Sequence, residues 1–221
     1  PTRMIGTHTD ITNRKTAQAL VWQQANFDSL TGLPNRRMLR DRLEQEIKRS
    51  KRDTQQLGLL FIDLDHFKEV NDTLGHDGGD LLLVQAAQRI QNCLGADDTV
   101  ARMGGDEFTV VLCNAGEKAH IENMVRGMLD CLATAFQIGN EQVFVSASVG
   151  VALYPQNTSL VEELLKHADQ ALYVAKGAGR NRFSFFTPAL QDAAVLRARL
   201  ATDLRQALPD QQFSLVYQPI V

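Results

Sequence analysis

The sequence predicts an α+β domain in which an antiparallel-rich sheet is flanked by helices, with a linker helix at the N-terminus. Strand-like and helix-like patterns alternate between residues 28 and 187 in the order strand, helix, hairpin, helix, strand. A glycine pair, Gly104-Gly105, separates the two β-type runs of the hairpin, because glycine adopts the positive φ of tight turns at little cost. This order of elements is the split βαβ arrangement of ferredoxin-like folds.

A helix is predicted ahead of this domain, within residues 9–27. Its mostly apolar positions recur at near-heptad spacing, which favours pairing with a second copy of the chain, although an ordinary linker helix fits the same pattern. The positions are Ile11, Ala17, Leu20, Gln24 and Phe27.

Five strands and four helices are predicted within the domain. The strands are short, apolar runs bounded by turn residues, at 57–63, 99–103, 108–112, 143–153 and 182–186. The helices have apolar residues at three- and four-residue spacing, at 36–51, 78–93, 117–136 and 160–176. In this plan the first strand lies next to the hairpin.

The first predicted strand is a continuous apolar run that ends in acidic residues, at Asp63 and Asp65. Such a run is typical of a strand buried on both faces. A carboxylate at the end of a buried strand is costly unless it is paired or bound to a metal. Asp63 is therefore a candidate metal ligand, with a helix N-cap as the alternative, whereas for Asp65 the N-cap is the favoured interpretation.

The hairpin supplies the second part of a candidate nucleotide site. Without side chains, Gly104 and Gly105 would let a phosphate group approach the backbone, and Asp106 and Glu107 offer hard oxygen ligands suited to Mg²⁺. Lys68 could neutralise charge on a phosphate, although a solvated lysine is the usual role. An ordinary acidic turn would explain the hairpin residues on their own, but the surrounding residues favour the nucleotide site.

Composition and charge limit the classes of function. The 221 residues are 44% hydrophobic, enough for one well-buried domain with flanking segments. The net charge of −3 argues against a nucleic-acid partner, whose phosphates require a basic face. No apolar stretch approaches the length of a membrane span, so we expect no membrane contact by this chain and a cytoplasmic location. Because the first residue is proline, we expect a fragment of a longer protein, which could carry membrane segments elsewhere.

Several motifs follow one another along the chain at compatible spacing. They occupy residues 28–37, 61–68, 71–72, 75–77, 79–80, 102–108, 148–152 and 168–182. Because they are distributed over roughly three quarters of the chain, a chance match is very improbable. The chain resembles the GGDEF family of diguanylate cyclases.

The resemblance implies a fold similar to the nucleotide cyclases and the polymerase palm. It also implies an enzyme that condenses two GTP molecules into cyclic di-GMP and pyrophosphate, with Mg²⁺, or alternatively Mn²⁺, as cofactor. A homodimer is implied for catalysis, since one chain offers one site for two reacting nucleotides. The implied metal ligands are Asp63, the backbone carbonyl of Leu64, Asp106 and Glu107, and the implied catalytic residues are Asp106, Glu107 and Lys68.

Residues that bind GTP are implied in the same way. Asn71 and Asp80 match the donors and acceptor of guanine, whereas adenine would leave the Asp80 carboxylate unpaired at a cost of about 1–3 kcal/mol. His76 and Phe67 would support this pocket. The phosphates would be bound by Gly104, Gly105, Lys176 and Arg180.

Flanking segments resemble other signalling modules. Residues 5–15 are similar to the last strand of a PAS sensor domain, and residues 213–221 to the first strand of an EAL phosphodiesterase domain. We therefore assign residues 1–27 to the end of a sensor and a signalling helix, and 28–187 to the GGDEF domain. Residues 188–221 are assigned to a linker helix and the start of a truncated EAL domain.

One position departs from the family pattern. Many members carry Arg-x-x-Asp shortly before the glycine pair, where the product binds and inhibits the enzyme. Here Asp98 is present, but Gly95 occupies the arginine position. Glycine cannot make the charged, bidentate contact of arginine, so we expect the primary inhibitory site to be absent.

Two alternatives to an active cyclase remain open. The domain could be a catalytically silent GTP-binding module that regulates a downstream phosphodiesterase, or a dimerisation and relay element with a vestigial pocket. All positions implied to bind metal, base and phosphate carry suitable residues, which favours the active cyclase.

Overall fold

The computed structural model describes Asp10 and residues 12–207, 209–210, 212–214 and 216–217. Its elements are α1 (Thr12–Asn26), α2 (Arg36–Asp53), β1 (Leu57–Leu64), α3 (Phe67–Asn92), β2 (Thr99–Gly104), β3 (Glu107–Leu112), α4 (Lys118–Ala133), β4 (Phe136–Ile138), β5 (Glu141–Val143), β6 (Ala147–Tyr154), α5 (Val161–Gly177), β7 (Arg182–Phe185) and α6 (Pro188–Ala207).

The main sheet has five strands in the order β2-β3-β1-β6-β7. Strand β1 is central and pairs antiparallel with β3 and β6, while β6 and β7 pair in parallel. The antiparallel-rich α+β class is confirmed, as is the predicted position of the first strand beside the hairpin.

Helices cover both faces of this sheet. All eight residues of β1 are buried, as are all eight of β6, which explains why these strands read as continuous apolar runs. One core cluster lies under α3 and α4, and the other lies under α2 and α5. At Gly150 in β6, an added Cβ would collide with the backbone of Ala168 and Leu172, so α5 packs directly on the strand.

Helix α3 starts earlier than predicted, at Phe67 instead of residue 78. It consists of two helical parts separated by a kink at Gly75, where φ is 74°. The first part spans only two turns before the kink and includes Asn71 and Asp72, whose short polar side chains are typical of turns, so its helical pattern is weak.

The predicted strand 143–153 was wrong in its first part. Residues 144–146 lie outside any strand, and Phe144 is 72% exposed. Strand β5 belongs to a separate two-stranded sheet with β4, which the sequence analysis missed. Because Val143, Phe144 and Val145 are all residue types that favour strands, the break between the two sheets could not be recognised from the sequence.

Helix α4 ends at Ala133, three residues before the predicted end. The Arg89 guanidinium donates hydrogen bonds to the carbonyl oxygens of Cys131, Thr134 and Ala135, and its Cζ lies 3.6 Å from the ring centroid of buried Phe136. A long-range contact from α3 therefore fixes the end of this helix and the start of β4.

The N-terminal helix is confirmed as α1. Leu20, Val21 and Trp22 are 54%, 66% and 56% exposed, so this part of the helix buries little apolar surface against its own domain. Residues 5–15 resemble a PAS strand, but 5–9 and 11 lie outside the described part of the chain, and α1 begins at Thr12.

At the C-terminus, α6 agrees with the predicted linker helix. In the predicted strand 213–221, Phe213, Ser214, Val216 and Tyr217 have no regular secondary structure, and the other positions lie outside the described residues. Over the described part of the chain, no helix combines the length and apolar character needed to cross a bilayer.

Candidate nucleotide site

The hairpin between β2 and β3 is held in shape by an arginine. Gly104 and Gly105 have φ values of 134° and 55°, which favour glycine at both positions. The guanidinium of Arg102 donates to the carbonyl oxygen of Gly105, with Nη2 at 2.8 Å and Nε at 3.0 Å. Its Nη1 lies 3.0 and 3.1 Å from the two carboxylate oxygens of Asp28. Arg102 lies two residues before the glycine pair, but its partner Asp28 is 74 residues away in sequence, so its role could not be predicted from the local pattern.

Asp28 connects this hairpin to the turn after α1. Its Oδ1 also accepts hydrogen bonds from the backbone N–H of Thr31, at 2.8 Å, and from the Thr31 hydroxyl, at 2.7 Å. Burial alone would raise the pKa of Asp28, but the hydrogen bonds from Thr31 and Arg102 outweigh burial and lower it. Asp28 therefore stays ionised and keeps its bonds to Arg102.

The acidic residues meet at the end of β1. Asp63 and Glu107 are register partners on adjacent strands, and the backbone N–H of Leu64 donates to the carbonyl oxygen of Asp106 at 3.3 Å. The Asp63 side chain is 10% exposed, and its Oδ2 lies 2.7 Å from the Lys176 Nζ. All four residues expected to ligate the metal thus lie at one edge of the site.

The pKa of Asp63 is raised above its ordinary value. Burial is the largest cause, and the nearby negative charges of Asp106 and Glu107 add to it, while the hydrogen bond from Lys176 acts in the opposite direction. Three acidic residues, Asp63, Asp106 and Glu107, thus lie near the single ammonium group of Lys176.

The residues at this edge fit a divalent cation by charge and donor type. In the described residues, no three acidic, histidine or cysteine side chains are arranged so that they could already enclose a metal ion. However, burial and the charges of Asp106 and Glu107 both disfavour an uncompensated charge on Asp63, and a cation would offset them. Carboxylate and carbonyl oxygens are the ligands that Mg²⁺ prefers.

The kink in α3 places Gly79 against two of the residues expected at the guanine pocket, Asn71 and Phe67. The second helical part folds back so that Gly79 lies against the Asn71 amide and the ring of Phe67, where an added Cβ would overlap Asn71 Oδ1 and lie 3.1 Å from Phe67 Cζ. Asp80 follows directly and is exposed, as is His76 just after the kink. The sequence analysis assigned no role to Gly79, although only glycine leaves room for Asn71 here.

Three further expected residues are basic. Lys176 lies in the last turn of α5, and exposed Arg180 follows in the turn before β7, with φ of 60°. Lys68 is exposed in the first turn of α3. The structure thus brings Lys176 into contact with Asp63, whereas Lys68 follows Leu64 by four residues and Arg180 follows Lys176 by four residues.

The N-cap interpretation of Asp65 was wrong. The residue at the N-cap of α3 is His66, and it makes no side-chain capping bond. Asp65 is 2% exposed and accepts hydrogen bonds from the hydroxyls of Ser146, at 2.6 Å, and Ser148, at 2.7 Å, and from the backbone N–H of Asn181, at 3.0 Å. These partners are distant in sequence, so the pattern around Asp65 could not reveal them.

The Asp98 side chain holds the loop that contains Gly95 and connects it to the end of β3. The two carboxylate oxygens of Asp98 accept hydrogen bonds from the backbone N–H groups of Gly95 and Cys113, each at 2.9 Å. Asp98 thus has a structural role here, which accounts for an aspartate without a neighbouring arginine.

Comparison with known proteins identifies the family. The model of the diguanylate cyclase GGDEF domain matches residues 25–182. The chain therefore belongs to the GGDEF family.

Individual relatives agree with this assignment. The chain is 46% identical over 199 residues to the bifunctional diguanylate cyclase/cyclic di-GMP phosphodiesterase MucR of Pseudomonas aeruginosa, covering 90% of this chain and 29% of MucR. It is 41% identical over 216 residues to the cyclic di-GMP phosphodiesterase PdeR of Escherichia coli, covering 98% of this chain and 32% of PdeR. The chain thus spans less than a third of the length of either relative.

Solved structures support the fold. The GGDEF domain of TpbB from Pseudomonas aeruginosa superimposes with a TM-score of 0.74 at 37% identity, covering 77% of this chain and 99% of the TpbB domain chain. The matched part corresponds to one complete GGDEF domain.

Proposed function

We propose that this chain contains an active diguanylate cyclase domain that condenses two GTP molecules into cyclic di-GMP and pyrophosphate. The observation that carries the proposal is the position of Asp63. It is buried between the Lys176 ammonium and the charges of Asp106 and Glu107, beside a hairpin whose glycines leave the backbone open to a phosphate. Excess negative charge beside an open backbone turn suits a cation–triphosphate complex.

In this proposal, Asp63, Asp106, Glu107 and the carbonyl of Leu64 hold Mg²⁺, or Mn²⁺ in its place. The cation would neutralise the triphosphate and stabilise charge on the reacting phosphoryl group. Because Lys176 is one-third exposed, it is free to turn from Asp63 towards the phosphates when a divalent cation is bound.

The remaining residues bind and orient GTP. Asn71, held by Gly79, and Asp80 pair with the guanine edge, and Phe67 and His76 support that pocket. Gly104 and Gly105 allow the backbone to approach the phosphates, which Arg180 also binds. Lys68 stabilises charge in the transition state, and Asp106 or Glu107 accepts the proton of the attacking 3′-hydroxyl.

Two chains would face each other to complete the reaction. One chain contributes one set of metal, base and phosphate residues, whereas the two nucleotides must lie head to tail. A symmetric dimer supplies both sets, and the exposed apolar residues of α1 are a suitable surface for holding it.

A silent GTP-binding module is the second candidate. It is favoured by the similarity to PdeR, which is named a cyclic di-GMP phosphodiesterase and whose similarity extends over 98% of this chain, including its GGDEF region. In that case the site would bind GTP and regulate a downstream domain without turnover.

One experiment distinguishes the two candidates. The purified chain is incubated with GTP and Mg²⁺, and the product is identified by mass spectrometry. We expect cyclic di-GMP. GTP binding without product would support the regulatory module, and the absence of both binding and product would contradict both candidates.

A further inference from the structure

Asp65 is a buried carboxylate that the proposed chemistry does not use. Its hydrogen-bond partners Ser146, Ser148 and Asn181 are 81, 83 and 116 residues away in sequence. Through them, Asp65 joins the end of β1 to the start of β6 and to the turn between α5 and β7. A buried carboxylate with three donors is a strong anchor, because charge-assisted hydrogen bonds are about twice as strong as neutral ones.

The turn that Asp65 holds has an unusual backbone. Gly179, Arg180 and Asn181 have φ values of 114°, 60° and 47°, and residues other than glycine persist in this region when their surroundings fix them. Local bonds contribute, since the Arg180 N–H donates to the Ala175 carbonyl at 3.2 Å and Arg182 Nε donates to the Arg180 carbonyl at 2.9 Å. The bond from the Asn181 N–H to Asp65 Oδ2, at 3.0 Å, fixes the turn relative to β1.

We propose that Asp65 is a positioning residue for the GTP triphosphate, which acts by fixing the turn that carries Arg180. The two aspartates near the end of β1 then have related roles. Asp63 binds Lys176 in the last turn of α5, and Asp65 binds Asn181 in the turn that follows α5. The inference rests on the proposed function, in which Lys176 and Arg180 bind phosphates.

The test compares a triphosphate with a monophosphate. Binding of 3′-deoxy-GTP and 3′-deoxy-GMP to the full chain is measured by calorimetry with Mg²⁺, since nucleotides without the 3′-hydroxyl cannot react. In Asp65→Ala we expect the affinity for 3′-deoxy-GTP to fall about tenfold or more, as for the loss of a charged hydrogen bond, while 3′-deoxy-GMP binds as before. Asp65→Asn should restore the triphosphate affinity, because its amide oxygen can accept from Asn181 while its NH₂ group donates to the Ser148 hydroxyl.

Two controls separate positioning from stability. Ser148→Ala removes one partner of Asp65 but leaves its bond to Asn181, so it should lower the melting temperature and preserve the preference for triphosphate. In an Arg180→Ala background, Asp65→Ala should cause no additional loss of triphosphate affinity. If Asp65→Ala does not fold, Asp65→Ser takes its place, since its hydroxyl is too short to reach Asn181.

The possible results are distinct. If the unmutated chain shows no preference for the triphosphate, the proposed phosphate site is wrong. If that preference exists but survives in Asp65→Ala, or if both nucleotides lose affinity equally, the positioning role of Asp65 is overturned.

Discussion

Asp63 combines a functional charge with a cost to folding. Its pKa is raised by burial and by Asp106 and Glu107, against the opposing hydrogen bond from Lys176. A raised carboxyl pKa means that its contribution to stability is fully present below the ordinary value and is lost as the pH rises through the folded-state value. At neutral pH the ionised Asp63 therefore destabilises the fold unless a cation compensates it.

Replacing this charge should separate activity from stability. We expect Asp63→Asn to reduce kcat by about 100-fold or more, because a metal ligand and its charge are lost. In the presence of a metal chelator, the melting temperature of Asp63→Asn should equal or exceed that of the unmutated chain, because the buried Asp63 charge has been removed. Asp130→Asn, at an exposed position in α4, is the control and should change neither quantity. Turnover at the unmutated rate in Asp63→Asn would contradict the metal site.

Asp28 has the opposite dependence on pH. Its pKa is lowered in the folded state, where the hydrogen bonds from Thr31 and Arg102 outweigh the effect of burial. Its contribution to stability is therefore present above the ordinary value of 3.8 and is lost as the pH falls through the lower folded-state value.

We expect the free energy of unfolding of the unmutated chain to exceed that of Asp28→Asn at pH 5–7. The difference should shrink as the pH falls through 3.8 towards the lower folded-state pKa, where Asp28 becomes protonated in the folded chain. Urea unfolding of the unmutated chain and of Asp28→Asn, from pH 7 to acid pH, measures this difference in the free energy of unfolding. A difference that increases towards acid pH would show that the ionised Asp28 is not stabilising.

At the scale of elements, the kink of α3 shapes the guanine pocket. Gly79 lies so close to Asn71 and Phe67 that a Cβ would displace the Asn71 amide. We expect Gly79→Ala to weaken GTP binding by about tenfold or more, because the lost guanine contacts leave polar groups unpaired. Gly127→Ala in α4 is the matched control, since nothing lies within 4 Å of its added methyl group. Equal GTP affinity in the two variants would remove the proposed role of Asn71.

The loop between α3 and β2 determines product feedback in our interpretation. The Gly95 φ is outside the left-handed region, and an added Cβ would lie 3.3 Å from Asp98 Oδ2, so a side chain fits with a small adjustment. We expect cyclic di-GMP to inhibit the unmutated enzyme weakly and competitively. Gly95→Arg should add a second, non-competitive site for cyclic di-GMP. Its added charged hydrogen bond contributes roughly 1.5–3 kcal/mol, which raises the affinity for cyclic di-GMP by about one to two decades.

Gly95→Gln is the control for this variant, because it adds length without charge and should leave inhibition weak. Strong non-competitive inhibition of the unmutated enzyme would show that the missing arginine does not matter. An inhibition curve that is unchanged in Gly95→Arg would show that other parts of the secondary site are also missing.

Local patterns predicted most elements, and long-range contacts account for the errors. The buried strands β1 and β6 were recognised from their apolar runs, and the glycine pair gave the hairpin. The end of α4 depends on Arg89 from another helix, and the role of Asp65 depends on residues more than 80 positions away. Such pairings leave no periodic signal in a single sequence.

The same distinction applies to the candidate site. The family resemblance supplied the residues at the acidic edge, and the structure brings them together there. The resemblance could not reveal the contacts that support the site. Arg102 binds Asp28 beside the hairpin, and Gly79 packs against Asn71 at the expected guanine pocket. Those contacts depend on the angle between elements, which is set by packing.

For the whole molecule, the decisive property is assembly into pairs. If two chains must face each other, specific activity should rise with enzyme concentration in the dilute range and then reach a plateau. Leu20→Glu should shift that rise to higher concentration, because it places a charge among the exposed apolar residues of α1. Gln18→Glu adds the same charge to the helix at another exposed position and serves as the control. Activity that is independent of concentration in a proven monomer would contradict the dimer model.

The central position of β1 has a consequence for how the domain is synthesised. Its partner β3 is about 50 residues further along the chain and its partner β6 about 90, and Leu57 pairs with Tyr154. Until β6 has been synthesised, the eight-residue strand β1 has one edge whose backbone groups are unpaired. Such an edge can pair with a strand of another chain and so favours aggregation. Contacts this distant in sequence also slow folding. The acidic edge needs β3, and the bond from Asn181 to Asp65 needs the turn after α5, so neither is complete until those segments have been synthesised.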